Sequence, residues 1–354
     1  MRADASVAMG SGHIMRCLAL AQVWQDSGGQ VVFAARELTP AIARRLRAEG
    51  MEIETCGLSN LKEDAGVLAA LSRRRCATTV VVDGYQFDSA YQRDLRDFGL
   101  HVLWIDDIGQ CGPYCAHVVL NQNAYAHAGM YINRDPGTKL LLGPHYLLLR
   151  KEFFPWQLRS RKVAVVPRRL LVMMGGSDSE NFITRVITAI QTAGVGALEI
   201  TVVIGGSNPH RESLYDLASR SPENIRLLVD VKNMAEVMAD ADLAISAAGH
   251  TCYELALLQV PMVLISLAEN QILAARAMAH AHAAIDGGWF GSFESKRFGQ
   301  LIQNAAQNYD LRCRLAQNAQ RLVDGRGAYR TFQCLRQNAA ESSEGLSTLQ
   351  AGVC

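Results

Sequence analysis

Near its start the chain places a histidine directly behind two glycines, in Met9-Gly10-Ser11-Gly12-His13, where an apolar helical pattern begins. Gly10 and Gly12 permit a tight turn and a close approach of backbone to a ligand. Met15 stands where a dinucleotide-binding fingerprint has its third glycine, so NAD binding is disfavoured. His13 is predicted at a helix N-terminus, where an uncharged imidazole can take a proton from water as a general base. A polar residue packing the first helical turn is the plainer alternative, and both stand. Arg16, one turn on, faces either a bound phosphate or solvent, and solvent is the plainer choice.

Five more stretches place polar groups at the end of an apolar run, most of them beside glycines or small residues. Asp83-Gly84-Tyr85 offers Tyr85 to orient water or substrate, although a packed ring with a solvated hydroxyl is the commoner role. Gly175-Gly176-Ser177-Asp178 offers the Gly176 N–H and the Ser177 hydroxyl to a phosphate, while Asp178 or Ser179 caps the next helix. In Ser246-Ala247-Ala248-Gly249-His250-Thr251-Cys252-Tyr253-Glu254, small residues let a ligand approach at Gly249 and Thr251. Glu254 either forms a capping box with Thr251 or accepts two hydrogen bonds from a ribose diol. Asn270 and Gln271 are amides suited to sugar hydroxyl and acetamido groups, unless Asn270 only caps a helix. Gly205-Gly206-Ser207-Asn208 reads as a turn. His101, His117, His127 and His145 form no metal-ligand spacing and read as structural or surface residues.

The elements that must position these residues repeat in both halves. Strand patterns fall over residues 31–34, 51–55, 78–83 and 101–105, with helical stretches over 40–49 and 89–98. Gly50 and Gly99 follow those helices as expected C-terminal caps. The alternation restarts at 169–174, and the helix after it shows Ile183, Val186, Ile187 and Ile190 on one face. Further strands are predicted over 199–204, 225–229, 242–246 and 262–267, then helix over 300–337. The fold class expected is α/β, two Rossmann-like domains with parallel sheets and a cleft between them. The boundaries expected are 1–150, a linker over 151–168, a second domain over 169–339 and a polar, frayed tail over 340–354.

With 354 residues, 49 % hydrophobic and 19 % charged, each half can bury a core. A net charge of +1 without basic runs beside aromatics excludes a nucleic-acid footprint. No apolar stretch reaches the roughly 18–20 residues a membrane span needs, and no leader pattern is seen. Nine scattered cysteines without a CxxC pair point to reduced thiols in the cytoplasm, and no zinc is expected. A monomer is the default expectation.

Together these stretches resemble the UDP-sugar hydrolases of pseudaminic acid biosynthesis, GT-B-like enzymes related to the N-acetylglucosaminyltransferase of peptidoglycan synthesis. Arg2-Ala3-Asp4-Ala5-Ser6 and Gly10-Ser11-Gly12-His13-Ile14-Met15-Arg16 carry the most specific part of the match. It continues through Asp83-Gly84-Tyr85, Gly175-Gly176-Ser177-Asp178, Gly249-His250-Thr251-Cys252-Tyr253-Glu254 and Glu269-Asn270-Gln271. The resemblance implies inverting cleavage of C1–O in a UDP-linked diacetamido-trideoxyhexose, with no metal or organic cofactor. It implies His13 as the catalytic histidine, Tyr85 and Asn270 as site residues, and Gly176, Ser177 and Glu254 as UDP ligands. The alternatives are a glycosyltransferase, a hydrolysing 2-epimerase and a non-catalytic nucleotide-sugar sensor. One departure is that the family has apolar residues ahead of its Arg-x-Asp segment, so a shortened first strand or an upstream start is expected here.

Overall fold

The computed structural model describes residues 1–6, 9–56, 60–176, 178–195, 198–206, 208–221, 224–229 and 231–337. They form two compact units, the first comprising Met1–Ser6, Ser11–Lys151 and 326–337, the second chiefly Glu152–Gly325.

The first unit contains β1 (Arg2–Ala3), α1 (Gly12–Asp26), β2 (Val32–Ala35), α2 (Pro40–Ala48), β3 (Glu52–Thr55) and α3 (Leu61–Arg74). It continues with β4 (Thr79–Asp83), α4 (Ser89–Asp97), β5 (His101–Ile105), β6 (Val118–Asn121) and β7 (Lys139–Leu142). The strands pair in parallel in the order β3-β2-β1-β4-β5-β6-β7. The order reverses between β1 and β4, and that switch point is where open α/β sheets gather ligand-binding loops. Local chemistry sets the helix starts: Thr39, Asn60 and Asp88 each accept from a backbone N–H of the first turn of α2, α3 and α4. Gly50 and Gly99 end α2 and α4 with φ of 75° and 81°, a conformation that costs other residues their Cβ clearance. The core lies over β4 and β5, with Leu68, Val82, Tyr91, Leu95, Val102 and Trp104 buried.

β1 has only two residues, and one of them is an arginine that is 2 % exposed. Its guanidinium donates to both Asp64 oxygens at 3.1 Å and to Asp4 at 2.8 Å, and lies 4.9 Å over the Phe87 ring. Tyr91 Oη donates to the same Asp64 at 2.6 Å. Asp4 also accepts from the Arg36 and Glu37 N–H groups and from Gln86 Nε2. The Arg-x-Asp segment thus ties the end of β1 to the loops after β2 and β4.

At the opposite end of this sheet, His101 and His117 stack with ring centroids 4.4 Å apart. Neither His101 ring nitrogen has a hydrogen-bond partner, and His117 Nδ1 accepts from the Val102 N–H at 3.1 Å. Burial lowers His101, while burial, His101 and Arg96 push His117 down to about 4. The folded state therefore refuses protons that the unfolded chain binds from about pH 6.5 downwards, so stability falls as pH drops from 6.5 towards 4. Thermal unfolding against pH should show this loss, and His117→Asn should flatten it; an unchanged slope would refute the assignment.

The second unit contains β8 (Arg169–Met173), α5 (Phe182–Ala193), β9 (Glu199–Ile204), α6 (Arg211–Arg220), β10 (Asn224–Val229) and α7 (Met234–Asp240). It continues with β11 (Leu243–Ala247), α8 (Thr251–Leu257), β12 (Met262–Ser266), α9 (Glu269–His280), β13 (Ile285–Trp289), α10 (Ser295–Gln307) and α11 (Tyr309–Leu322). Its parallel sheet has the order β10-β9-β8-β11-β12-β13, so the switch point recurs between β8 and β11. The predicted face Ile183, Val186, Ile187 and Ile190 is buried against Val172, Val202 and Ile245.

The boundaries differ from those read in the sequence. Residues 152–168 are not a free linker but part of the second unit. Gln259 bonds the backbone of both Arg159 and Arg161, Arg161 donates to the Ala239 and Ala241 carbonyls, and Glu152 accepts from the Met234 N–H. The helix predicted over 300–337 breaks at Asn308, whose side chain caps α11, and again at 323–326. Its last stretch, 327–337, belongs to the first unit, where Phe332 meets Trp24 edge to face at 5.0 Å. The tail over 340–354 lies outside the described residues.

Candidate active site

Because β1, β4 and β5 are neighbours, residues just beyond their C-terminal ends converge. Asp83, the last residue of β4, sits in register with Ala3 and Ile105. His13 is the second residue of α1, as expected, and its Nδ1 lies 2.6 Å from Asp83 Oδ1. Arg16 grips the same carboxylate through Nε and Nη2, both at 2.6 Å. Its Nη1 and Nη2 also donate to Asp107, at 2.7 and 3.1 Å. Asp107 further accepts from Tyr85 Oη at 2.8 Å and Asn123 Nδ2 at 2.9 Å.

Burial alone would raise the Asp83 carboxyl, yet Arg16 and His13 hold it well below the ordinary carboxylate range. An ionised carboxylate only accepts hydrogen bonds, so Nδ1 must carry the proton that bridges to Asp83. The Arg16 Nη2, 3.3 Å from Nδ1, is itself only a donor and cannot compete with the 2.6 Å contact. In the neutral ring this network assigns the lone pair to Nε2. Such an imidazole, oriented by a buried carboxylate, is equipped to take a proton at Nε2.

Tyr85 is the opposite of the packed ring with a solvated hydroxyl read as its commoner role. Its ring is 43 % exposed and packs edge-on to His13 with centroids 4.9 Å apart, while its hydroxyl is pinned inward on Asp107. Arg16 corrects both of its expected roles: it faces neither phosphate nor solvent, being buried with its donors spent on two carboxylates. Gly12, the first residue of α1, is exposed. Asp107 and Asn123 were not singled out in the sequence, and Asp83 was seen only as a neighbour of Tyr85. The available signal was an acidic pair, Asp106-Asp107, directly closing an apolar strand.

In the second unit the loops after β8, β9, β11 and β12 lie at one end of the sheet. Gly176 and Gly205 abut, since a Cβ on Gly205 would stand 2.0 Å from the Gly176 carbonyl oxygen. Only glycine fits that approach, so the β9 loop buttresses the β8 loop. His210 Nε2 closes the pair by bonding the Ser179 carbonyl at 2.9 Å. The turn expected at 205–208 is present, with Asn208 N–H donating to the Gly205 carbonyl at 3.1 Å. Asp178 caps α5 by accepting from the Phe182 and Ile183 N–H groups at 2.7 and 3.2 Å. Ser177 lies outside the described residues.

The capping box expected as one option for Thr251 and Glu254 is absent, because His250 is the N-cap and Thr251 already lies inside α8. Glu254 is buried, 6 % exposed. Asn270 likewise does not cap α9, whose N-cap is Ala268. Gln271 is corrected in part: its Oε1 accepts from the Leu267 N–H at 2.9 Å, which leaves only its Nε2 for a ligand. That nitrogen lies beside Gly249, 3.8 Å from where a Cβ would stand. The structure therefore brings Gly249 and Gln271 together. Among the described residues no cluster of His, Cys, Asp and Glu could hold a metal, and no helix is long and apolar enough to cross a membrane.

Residues 170–289 match the glycosyltransferase family 28 C-terminal domain. The chain is 29 % identical over 66 % of its length to the spore coat polysaccharide biosynthesis protein SpsG of Bacillus subtilis, covering 68 % of that protein. It is 26 % identical over 76 % of its length to the UDP-2,4-diacetamido-2,4,6-trideoxy-beta-L-altropyranose hydrolase of Campylobacter jejuni, covering 92 % of that enzyme. A 25 % identical relative from Methanocaldococcus jannaschii is longer, and the chain spans 55 % of its length. Among solved structures, MurG of Acinetobacter baumannii superposes with a TM-score of 0.67 at 18 % identity, over 95 % of this chain and 98 % of that one. A putative UDP-N-acetylglucosamine 2-epimerase from Listeria monocytogenes gives 0.68 at 12 % identity, over 96 % of each chain. The fold is GT-B-like, and the resemblance to the nucleotide-sugar hydrolase family read from the sequence holds.

Proposed function

We propose that this chain hydrolyses a UDP-linked 2,4-diacetamido-2,4,6-trideoxyhexose at its C1–O bond with inversion, releasing UDP and the free sugar for pseudaminic or a related nonulosonic acid. The observation that carries the reading is the His13–Asp83 pair, with Nδ1 fixed at 2.6 Å and Nε2 left to accept a proton. The name of the Campylobacter relative supports the substrate class.

In this mechanism a water oxygen attacks C1 on the face opposite the nucleotide. The electron pair of the C1–O bond leaves with UDP, and the water proton passes to His13 Nε2. UDP is a good leaving group, so no strong acid is needed. Asp83 holds the ring in the tautomer that turns the Nε2 lone pair to the water. Tyr85 borders the ring and orients water or sugar. Gly176, Ser177, Gly249, Thr251, Glu254, Asn270 and the Gln271 amide nitrogen are assigned to the nucleotide and sugar. The proposed chemistry uses no metal or cofactor, and a cytoplasmic monomer serving cell-surface polysaccharide or flagellin glycosylation is the matching setting.

An NMR time course on a UDP-diacetamido-trideoxyhexose, with the chain as sole protein, tests the reading. Stoichiometric UDP and free sugar with the opposite anomeric configuration are expected. The family 28 match at 170–289 favours glycosyl transfer as the second reading, in which UDP would appear only at a slow background rate without an acceptor. A product with inverted C2 would instead identify a hydrolysing epimerase.

A further inference from the structure

We propose that Asp107, which makes no hydrogen bond to His13, supplies the charge that lets His13 take up the proton of the attacking water. The proposal rests on the hydrolase reading for its kinetic consequence, but its physical content is a property of the buried cluster itself.

Four groups are sealed together: His13, Arg16, Asp83 and Asp107 are each 8 % exposed or less. The ionic links run in a chain, from Asp107 to the Arg16 fork, from Arg16 to Asp83, and from Asp83 to His13 Nδ1. With the imidazole neutral, two carboxylates face one guanidinium, so the cluster carries one uncompensated negative charge. Protonating His13 makes it neutral. A buried net charge is costly and a balanced set is not, so the cluster favours the catalytic proton transfer at the moment it occurs. Asp83 alone could not do this, because Arg16 already neutralises it. The second carboxylate creates the imbalance.

Among the described residues of the first unit, these groups face His13 or stand next in line. Asp83 comes from β4, Arg16 from the same helix, and Tyr85 from the loop after β4, with Asp107 behind Arg16 and Tyr85. Cys17, with its Sγ 3.8 Å from Asp83, adds no charge, since burial pushes its thiol far up. Asp106 is turned aside onto the Gly109 N–H and the Tyr114 hydroxyl. Asp107 stays ionised: against burial, Arg16 holds its carboxyl below the usual range. Asp107 is therefore a positioning residue that acts through charge.

The test is an NMR titration of the His13 ring in the full chain with isotope-labelled histidine, assigned by its loss in His13→Ala. Asp107→Asn keeps the shape and removes the charge, and the His13 midpoint should fall by about one pH unit. Asn123→Asp places another carboxylate against Asp107 and should move the midpoint the other way. Opposite shifts from two neighbouring substitutions are not what a simple packing defect produces. In the hydrolysis assay, Asp107→Asn should lower kcat about tenfold with KM little changed, and move the acid limb of the pH profile downwards. Midpoints within about 0.2 pH units of the unsubstituted chain in whichever variants fold would overturn the proposal, even if activity were lost. If no variant or parent hydrolyses a UDP-sugar while the midpoints still move as stated, the hydrolase reading fails and the charge coupling stands.

Discussion

His13→Ala should lower the rate of UDP release by about 10²–10⁴-fold while leaving KM for the UDP-sugar within about threefold, the loss expected when a general base is removed. That range corresponds to about 3–5 kcal/mol of barrier. The substitution should not unfold the protein, because Asp83 keeps both of its 2.6 Å bonds from Arg16. The side chain removed is also the ring against which Tyr85 packs, so some loosening of Tyr85 is expected without loss of its hydroxyl bond to Asp107. Steady-state kinetics on the purified variant decides the matter. Turnover within about tenfold of the parent would remove His13 from the chemistry.

The largest effect on stability should come from Asp64→Ala. It strips the bidentate partner from a guanidinium that is 2 % exposed and leaves the Tyr91 hydroxyl without its acceptor. Breaking a buried ion pair from one side costs about 3–5 kcal/mol, because the remaining charge stays out of water. Burial lowers the Arg2 guanidinium while Asp64 and Asp4 raise it, and the net result is above its ordinary value. A guanidinium keeps its proton in a protein, so Arg2 stays charged in the variant. Urea unfolding followed by a probe in the first unit, such as Trp104, should show the lowered midpoint. A loss below about 1 kcal/mol would mean that Asp4 alone satisfies the arginine. The Arg-x-Asp segment contributed much of the family resemblance, and its place in the structure is a mechanical one: it ties the end of β1 to the loops after β2 and β4.

The alternation of apolar strand patterns with helical faces made the two α/β units legible, and several elements fall where their periodicity puts them. β5 and β9 match residue for residue, and α2 and α4 differ by one residue at their ends. β6, β7 and β13 went unread for physical reasons. The first two are four-residue stretches among prolines, glycines and histidines, and β13 carries the Gly287-Gly288 pair inside it. The catalytic candidate was legible because glycine, histidine and helix start are adjacent in the chain. Its partners were not, since Asp83 and Asp107 lie 70 and 94 positions away from His13 and only sheet order brings them close. Arg16 misled for the same reason. A cation near a loop reads as an anion ligand unless the two carboxylates that consume it are known. In the second unit, capping explained Asp178 fully but failed for Thr251 and Asn270, because α8 and α9 begin one or two residues earlier than their polar residues suggest.

Residues 327–337 supply the partner for Trp24, and Arg330 Nη1 fastens the same stretch to the His145 carbonyl at 2.8 Å. Gly327 packs so tightly on Leu147 that a methyl group there would lie 2.3 Å from its backbone. The first unit is consequently assembled from segments on both sides of the second. A ribosome must translate all of the second unit before it releases the piece that finishes the first, so a nascent chain carries an unsealed α1 until residues 327–337 emerge. Cutting the gene after the codon for Lys151 would yield a fragment lacking that closing helix, with Trp24 laid open to solvent and prone to self-association.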